Sequence, residues 1–328
     1  MWFSIVNTIN THLTTILCIV PNLLVIYLTF TTIITEIRRY RWMLAAQSLI
    51  EILICATLSL VVTAIYEANG ELYIIEMGIF ADSHKVISAA LYMLYTFLLI
   101  SNIILLQVIF TFRYAVICSN QLIQVIFTTR GAIIYCTIAS LLGIFVSVST
   151  ILQFEDNNNS ELSILFDRTT RIFTLKQSDG AFPFARIAGA VVALSVITAT
   201  YVIIIFTAIK IWIEQTHINV SEKTRRLRKQ LVVVMLLQAL LPLLLVILPM
   251  ILLVILTEAK ISVREYATIA AMLFNWEPCA HPFIALYFVA PFRKRICRFF
   301  QTNHFCTHRK VGSSNPTTLA YLTIWKNH

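Results

Sequence analysis

The sequence predicts an all-α membrane protein: a seven-transmembrane helix bundle with its N-terminus outside the cell and its C-terminus in the cytosol. Three observations carry that expectation. Of 328 residues, 59% are hydrophobic and only 12% are charged, about half the charged fraction of an ordinary soluble domain. The apolar residues are gathered into long runs, and the basic residues sit in short clusters between those runs. One aqueous core could not hold so much Leu, Ile, Val and Phe without leaving large exposed apolar patches.

A helix must supply roughly 20 mostly apolar residues to cross the hydrocarbon. Seven stretches do so: Leu13–Ile34, Met43–Ile65, Val86–Phe112, Gly131–Leu152, Phe182–Ile213, Leu231–Leu256 and Tyr266–Ala290. They are continuous and lack period-two alternation, so they read as helices rather than barrel strands. Residues 1–300 form the one bundle, and 301–328, with Gly312-Ser313-Ser314-Asn315-Pro316, read as a flexible tail.

Charge placement sets the orientation. The connections Thr35–Trp42, Arg113–Arg130 and Lys210–Gln230, with the tail from Pro291, hold 18 of the 25 Lys and Arg. Basic connections stay in the cytosol. Glu67, Glu71, Glu76, Asp82, Glu155, Asp156, Glu161, Asp167 and Asp179 all fall on the opposite side. Asn158 heads a glycosylation acceptor there, whereas the sequon at Asn219 falls inside and is expected to stay unmodified. Met1–His12 lack a basic n-region, so the first span is expected to act as its own insertion signal. The net charge of +9 is thus a topology signal, and no nucleic-acid partner is expected. None of the seven cysteines falls in an outer segment, which argues against a disulfide framework.

Polar residues at bilayer depth are costly and mark packing or function. On the third span Ser88, Tyr92, Tyr95, Asn102 and Arg113 recur near one helical face. That face should look into the bundle, either lining a ligand pocket or packing through hydroxyl hydrogen bonds. Arg113-Tyr114 closes the span as a cytosolic switch or as a snorkelling interfacial arginine. Glu51, two turns into the second span, must be protonated or paired. The seventh span carries Asn275-Trp276-Glu277-Pro278 and His281-Pro282, with Glu277 and His281 as i,i+4 partners. One His and one Glu are too few for a metal site, and helix-bending polar packing is the preferred reading. The sixth span carries Gln238, Pro242 and Pro249, and prolines here mark bends that can move. The basic approach to it, Ser221–Lys229, fits an acidic partner surface or anionic membrane lipids, although topology alone also explains its charge.

No enzyme signature is present: no Gly-rich phosphate loop, no His-Glu-x-x-His and no nucleophile elbow. No cofactor is expected. The chain does resemble the nematode serpentine chemoreceptors, in the superfamily of the Str and Srd classes. The resemblance rests on Pro21-Asn22-Leu23-Leu24-Val25, Gln47-Ser48-Leu49-Ile50-Glu51 and Phe112-Arg113-Tyr114-Ala115-Val116. It continues through Ser221 to Pro242 and from His281-Pro282 to Tyr287-Phe288-Val289-Ala290-Pro291-Phe292-Arg293.

The resemblance implies a chemosensory G-protein-coupled receptor in the plasma membrane of sensory neurons, at the cilia. Arg113, Tyr114, Lys223, Arg225, Arg226 and Arg293 would face the heterotrimeric G protein. A small-molecule ligand would bind among the outer halves of the spans, with Tyr92, Tyr95, Asn102, Asn275 and Trp276 as the expected pocket. Pro242, Pro249, Pro278 and Pro282 would supply the kinks. His281 stands where many seven-span receptors have Asn before the proline, and the outer disulfide common among rhodopsin-like receptors has no candidate cysteines. The competing readings are a seven-span ligand-gated cation channel subunit of inverted topology, disfavoured by the charge bias, and a transporter. Homo- or hetero-dimerisation stays open.

Overall fold

The structure is a computed structural model that describes residues 2–68, 71–81, 85–118, 127–152, 154–156, 171–175, 183–217, 222–263 and 266–298. The glycosylation candidates Asn158 and Asn219 lie outside those residues.

Five helices come first: α1 (Trp2–Thr31), α2 (Thr35–Val61), α3 (Lys85–Ile117), α4 (Thr129–Ile151) and α5 (Pro183–His217). The sixth span has three parts, α6 (Glu222–Pro242), a π turn at Leu243–Ile247, and α7 (Leu248–Glu258). The seventh span is α8 (Tyr266–Phe288), and residues 290–298 form a further helix. Among the described residues, six helical segments, those of the first six spans, are long and apolar enough to cross a membrane. The seventh, at 23 residues, extends ~35 Å at 1.5 Å per residue. Asn275, Glu277 and His281 lower its hydropathy without shortening it.

Element ends depart from the hydropathy reading for local reasons. α1 begins at Trp2 rather than near Leu13, because no helix breaker separates the first turns from the rest. α3 runs past Phe112 to Ile117, so Arg113 sits within a helix and not at its last residue. The second span was expected to reach Ile65, but its helix stops at Val61. There Val62 turns left-handed, with φ 45, and its N–H closes on the Leu58 carbonyl at 2.7 Å. A β-branched residue pays strain in that region.

The chain then enters β1 (Thr63–Ala68), which pairs antiparallel with β2 (Glu71–Glu76). This segment, where the sequence reading ends the second span at Ile65 and places Glu67, Glu71 and Glu76 outside, is a hairpin. β3 (Phe154–Asp156) and β4 (Arg171–Leu175) come from the long connection after α4 and complete one sheet in the order β1-β2-β4-β3. Ile65 belongs to the sheet, yet hydropathy alone merges it with the preceding helix.

The sheet is fastened to the bundle by named bonds. Asn7 Nδ2 of α1 donates to the Thr63 carbonyl at 3.1 Å, and Thr268 Oγ1 of α8 donates to the Ile65 carbonyl at 2.8 Å. Glu67 Oε2 accepts from Ser262 Oγ and Val263 N, both at 2.9 Å, which ties β1 to the connection between α7 and α8. After β2 the backbone passes so close to the end of α2 that a Cβ at Gly78 would overlap the Leu60 carbonyl oxygen.

Below the sheet the bundle has two kinds of packing. α1, α2 and α8 meet through Cys18, Cys55 and Cys279, all buried, with Asn22, Glu51 and His281 nearby. α3, α5 and α6 meet through Leu106, Ile109, Phe110, Ile204, Ala208, Met235 and Ala239. The far faces of α4 and α5 stay open: Ile133, Ile138 and Leu141 on one, Val191, Leu194 and Val202 on the other. Such faces belong against lipid tails.

Candidate functional site

The buried polar residues of four helices converge on His281. Its Nδ1 lies 2.6 Å from Glu51 Oε1 of α2, and its Nε2 lies 3.1 Å from the Gln238 carbonyl of α6. Glu277 Oε1, one turn earlier on α8, is 3.5 Å from the same Nε2 and accepts from Asn102 Nδ2 of α3 at 3.4 Å. Gln238 Nε2 in turn donates to the His281 carbonyl at 3.3 Å, and the Gln47 amide of α2 lies 3.4 Å from Nδ1. Glu51, Glu277 and His281 are each 1% exposed. The sequence predicted the i,i+4 pair on α8 and a Glu51 either protonated or paired. The structure makes those two expectations one cluster.

Proline chemistry explains why the cluster sits here. Pro242 has no N–H, so the Gln238 carbonyl four residues earlier loses its helical partner. His281 Nε2 donates to that carbonyl instead. The π turn that follows shifts the backbone ladder, and the Ala239 carbonyl accepts from Tyr201 Oη of α5 at 2.9 Å. On α8, Pro282 frees the Pro278 carbonyl, and Cys18 Sγ of α1 lies 3.7 Å away. Each freed group is buried, where an unmet carbonyl costs roughly 1–3 kcal/mol. Pro249 sits in the first turn of α7, where its missing N–H is cheapest.

Two residues of the expected pocket face elsewhere. Asn275 Nδ2 donates to Thr11 Oγ1 at 2.9 Å, and Trp276 Nε1 donates to Asn10 Oδ1 at 3.1 Å, both toward α1. At 100° per residue they cannot share the direction of Glu277, which looks to α3. Asn102 is held by Glu277. Tyr92 and Tyr95 stay together on α3, their rings 6.0 Å apart.

At the other end of the bundle, Arg113 is 3% exposed and its guanidinium lies 4.6 Å over the Tyr40 ring of α2. Tyr40 also meets Phe112 edge to face, and Tyr114 meets Phe206 of α5. Arg226 near the start of α6 and Arg293 after α8 are exposed at the same end; the side chains of Lys223 and Arg225 lie outside the described ones. Arg295 Nη1 donates to the Thr31 carbonyl at 2.9 Å, capping the end of α1. Cys118, just past α3, has its thiol pushed up by partial burial and then by Glu214.

Tyr40 and Tyr201 escaped the sequence reading. Tyr201 is a lone hydroxyl inside a long apolar run, a signal that was available. Tyr40 sits in a basic connection, where an aromatic residue reads as an interfacial anchor and its arginine partner is not legible.

The described residues thus form a seven-helix bundle with a proline-broken sixth span, a buried arginine in the third and a β-sheet over one end. The crystal structure of squid rhodopsin superposes with a TM-score of 0.60 at 13% identity, covering 92% of this chain and 86% of that one. At that identity the likeness speaks to the fold. No curated protein matches the chain at comparable significance. The family model for the serpentine type 7TM GPCR chemoreceptor Str matches residues 7–297. The chain belongs to that family of multi-pass membrane receptors.

Proposed function

We propose that this receptor binds a small, apolar, odorant-like molecule beneath the sheet and signals to a heterotrimeric G protein at the Arg113 end, with the sheet outside the cell. Sensory-neuron cilia are its proposed site of action. The observation that carries the reading is the sixth span, whose backbone ladder is broken at Pro242 and held by side chains of two neighbours. A helix held that way has two arrangements available to it. A ligand shifts the balance only by binding one arrangement better. Tyr92 and Tyr95 supply the aromatic wall on α3, with Asn102 roughly 10 Å deeper as the link to the cluster. Asn275 and Trp276 then act through α1.

At the other end Arg113 is masked by Tyr40, and exposing it is the step that a G protein reads. Anionic lipids suit the exposed Arg226 and Arg293. The test is a cell line carrying the full chain and a second-messenger reporter, challenged with a panel of small volatile organics. A response that vanishes with Arg113→Ala at unchanged surface level supports the reading. A response that survives Arg113→Ala, or a ligand-gated current without G protein, sinks it in favour of the channel.

A further inference from the structure

Count the protons around His281. Nδ1 faces a carboxylate oxygen at 2.6 Å, and Nε2 faces a backbone carbonyl at 3.1 Å. The carbonyl can only accept, so Nε2 carries a hydrogen. The short contact at Nδ1 also needs one, whether it rests on the ring or on Glu51. Both descriptions give the Glu51–His281 pair the same proton count and no net charge. The weaker Gln47 contact at 3.4 Å does not alter this.

Glu277 stands outside that balance. Oε1 accepts from Asn102, but Oε2 is buried and has no hydrogen-bond partner in the structure. An ionised Glu277 would leave the cluster at a net charge of minus one, with an orphan carboxylate oxygen at bilayer depth. An orphan carboxylate there costs far more than an orphan neutral group. The titratable groups that face it are Glu51 and Cys55 of α2, Tyr95 of α3, Tyr201 of α5 and His281 of its own helix. Cys18 of α1 lies beyond them, at Cys55 and Cys279. None of those groups offsets a second negative charge in this arrangement, because the Nδ1 side of His281 is matched by Glu51 and its Nε2–H is given to the Gln238 carbonyl.

We infer that Glu277 is a proton-binding site, occupied in this arrangement of the bundle and vacated when α6 withdraws from His281. The coupling follows from one shared atom. His281 Nε2 is engaged by the Gln238 carbonyl, with Glu277 Oε1 only 3.5 Å away. When the sixth span moves and takes that carbonyl with it, Nε2–H turns to Glu277. The Glu277 O–H bond then breaks and its proton leaves to solvent; the cluster goes from neutral to minus one, and the Nε2–H released by the Gln238 carbonyl is donated to the new carboxylate and offsets that charge. A hard metal cation suits the site less well. Such ions take roughly six oxygen ligands, and here the near neighbours of Glu277 are an amide N–H and an imidazole N–H. Among the described residues no group of three His, Cys, Asp or Glu is arranged to hold a metal ion.

The coupling to movement deepens the receptor reading above; the proton itself does not depend on it. Both are tested on the full chain in phosphatidylcholine nanodiscs, without ligand or G protein. Infrared spectra at neutral pH should show the carbonyl stretch of a protonated carboxylic acid that shifts in D2O, shifts again with carbon-13 glutamate, and disappears in E277Q. Absence of that band from the unaltered chain overturns the inference, even where E277Q fails to fold. So does its loss in E51Q but not in E277Q, or its replacement by a carboxylate band as sodium is raised at constant ionic strength. For the coupling, a fluorophore at Arg226→Cys, with Cys118, Cys136, Cys297 and Cys306 made Ser, should report an environment change as pH rises. E277Q should flatten that change. A response that persists in E277Q overturns the coupling and leaves the proton site standing.

Discussion

The two sides of the bundle are held together by different means. On the α1–α2–α8 side, the contacts are directional: buried Cys18 donates to the Glu51 carbonyl and Glu51 Oε1 meets His281, both across helices, while Asn22 donates to Cys18 within α1. On the α4–α5 side, packing is by shape, with Gly189 set so close to Ser149 that a Cβ would overlap its side chain. The remaining faces there are apolar and open. Directional contacts fix both the distance and the rotation of a helix, while shape packing in lipid leaves sliding less restricted. The α1–α2–α8 side is therefore the more constrained frame and the α4–α5 side the less constrained one. α6 and α7 lie at the junction, bonded to the α1–α2–α8 side through His281 and to α5 through Tyr201.

The largest effect should come from breaking the frame. Glu51→Leu leaves an unmatched histidine proton in the core and should destabilise by about 3 kcal/mol or more, read as a lowered thermal midpoint of the detergent-solubilised chain. A midpoint equal to that of the unaltered protein would mean the polar cluster is not the frame. Next is the mask on Arg113. A buried cation–π contact contributes up to roughly 2 kcal/mol, so Tyr40→Ala should raise ligand-independent signalling severalfold at equal surface level. Unchanged basal signalling would move the switch away from this stack.

At the junction, Tyr201→Phe removes the donor to the Ala239 carbonyl and should cost about 1 kcal/mol. Its signature is a smaller fall in thermal midpoint than Glu51→Leu gives, together with a changed maximal response. The smallest effect is reserved for the lipid face. Leu141→Ala, at a residue 62% exposed, should stay within about 0.5 kcal/mol. A larger fall would show that this face of α4 is covered by protein, and that the receptor pairs through it.

How much of this was legible in the sequence follows the range of each interaction. Six of the spans were, because crossing a bilayer needs a long apolar run and nothing more; the seventh is a 23-residue helix whose Asn275, Glu277 and His281 lower its hydropathy. The Glu277–His281 pair was, because helical geometry alone brings i and i+4 together. The bond from Glu51 to His281 was not, since it depends on how two helices are rotated against each other; the sequence said only that Glu51 needed something. The hairpin was legible in principle. Asn69-Gly70 separates Ala68 from Glu71, which pair in register, and that dipeptide is the strongest short hairpin signal. A hydropathy window is too wide to see it, and the apolar Ile65, Tyr73, Ile74 and Ile75 hide the strands further. The facing of Asn275 and Trp276 toward α1 was beyond reach for the same reason as Glu51: a helix wheel gives relative angles, not absolute ones.

The broken backbone of the sixth and seventh spans carries a consequence for how this sequence can change over time. Restoring an N–H at position 242 would satisfy the Gln238 carbonyl from within α6 and leave His281 Nε2 without its acceptor. Restoring one at 282 would do the same to Cys18 and the Pro278 carbonyl. A substitution that strengthens either helix by itself therefore loosens the assembly. In descendants of this chain, proline and its distant donor should be kept or lost as couples, 242 with 281 and 282 with 18, although neither couple is adjacent in the sequence.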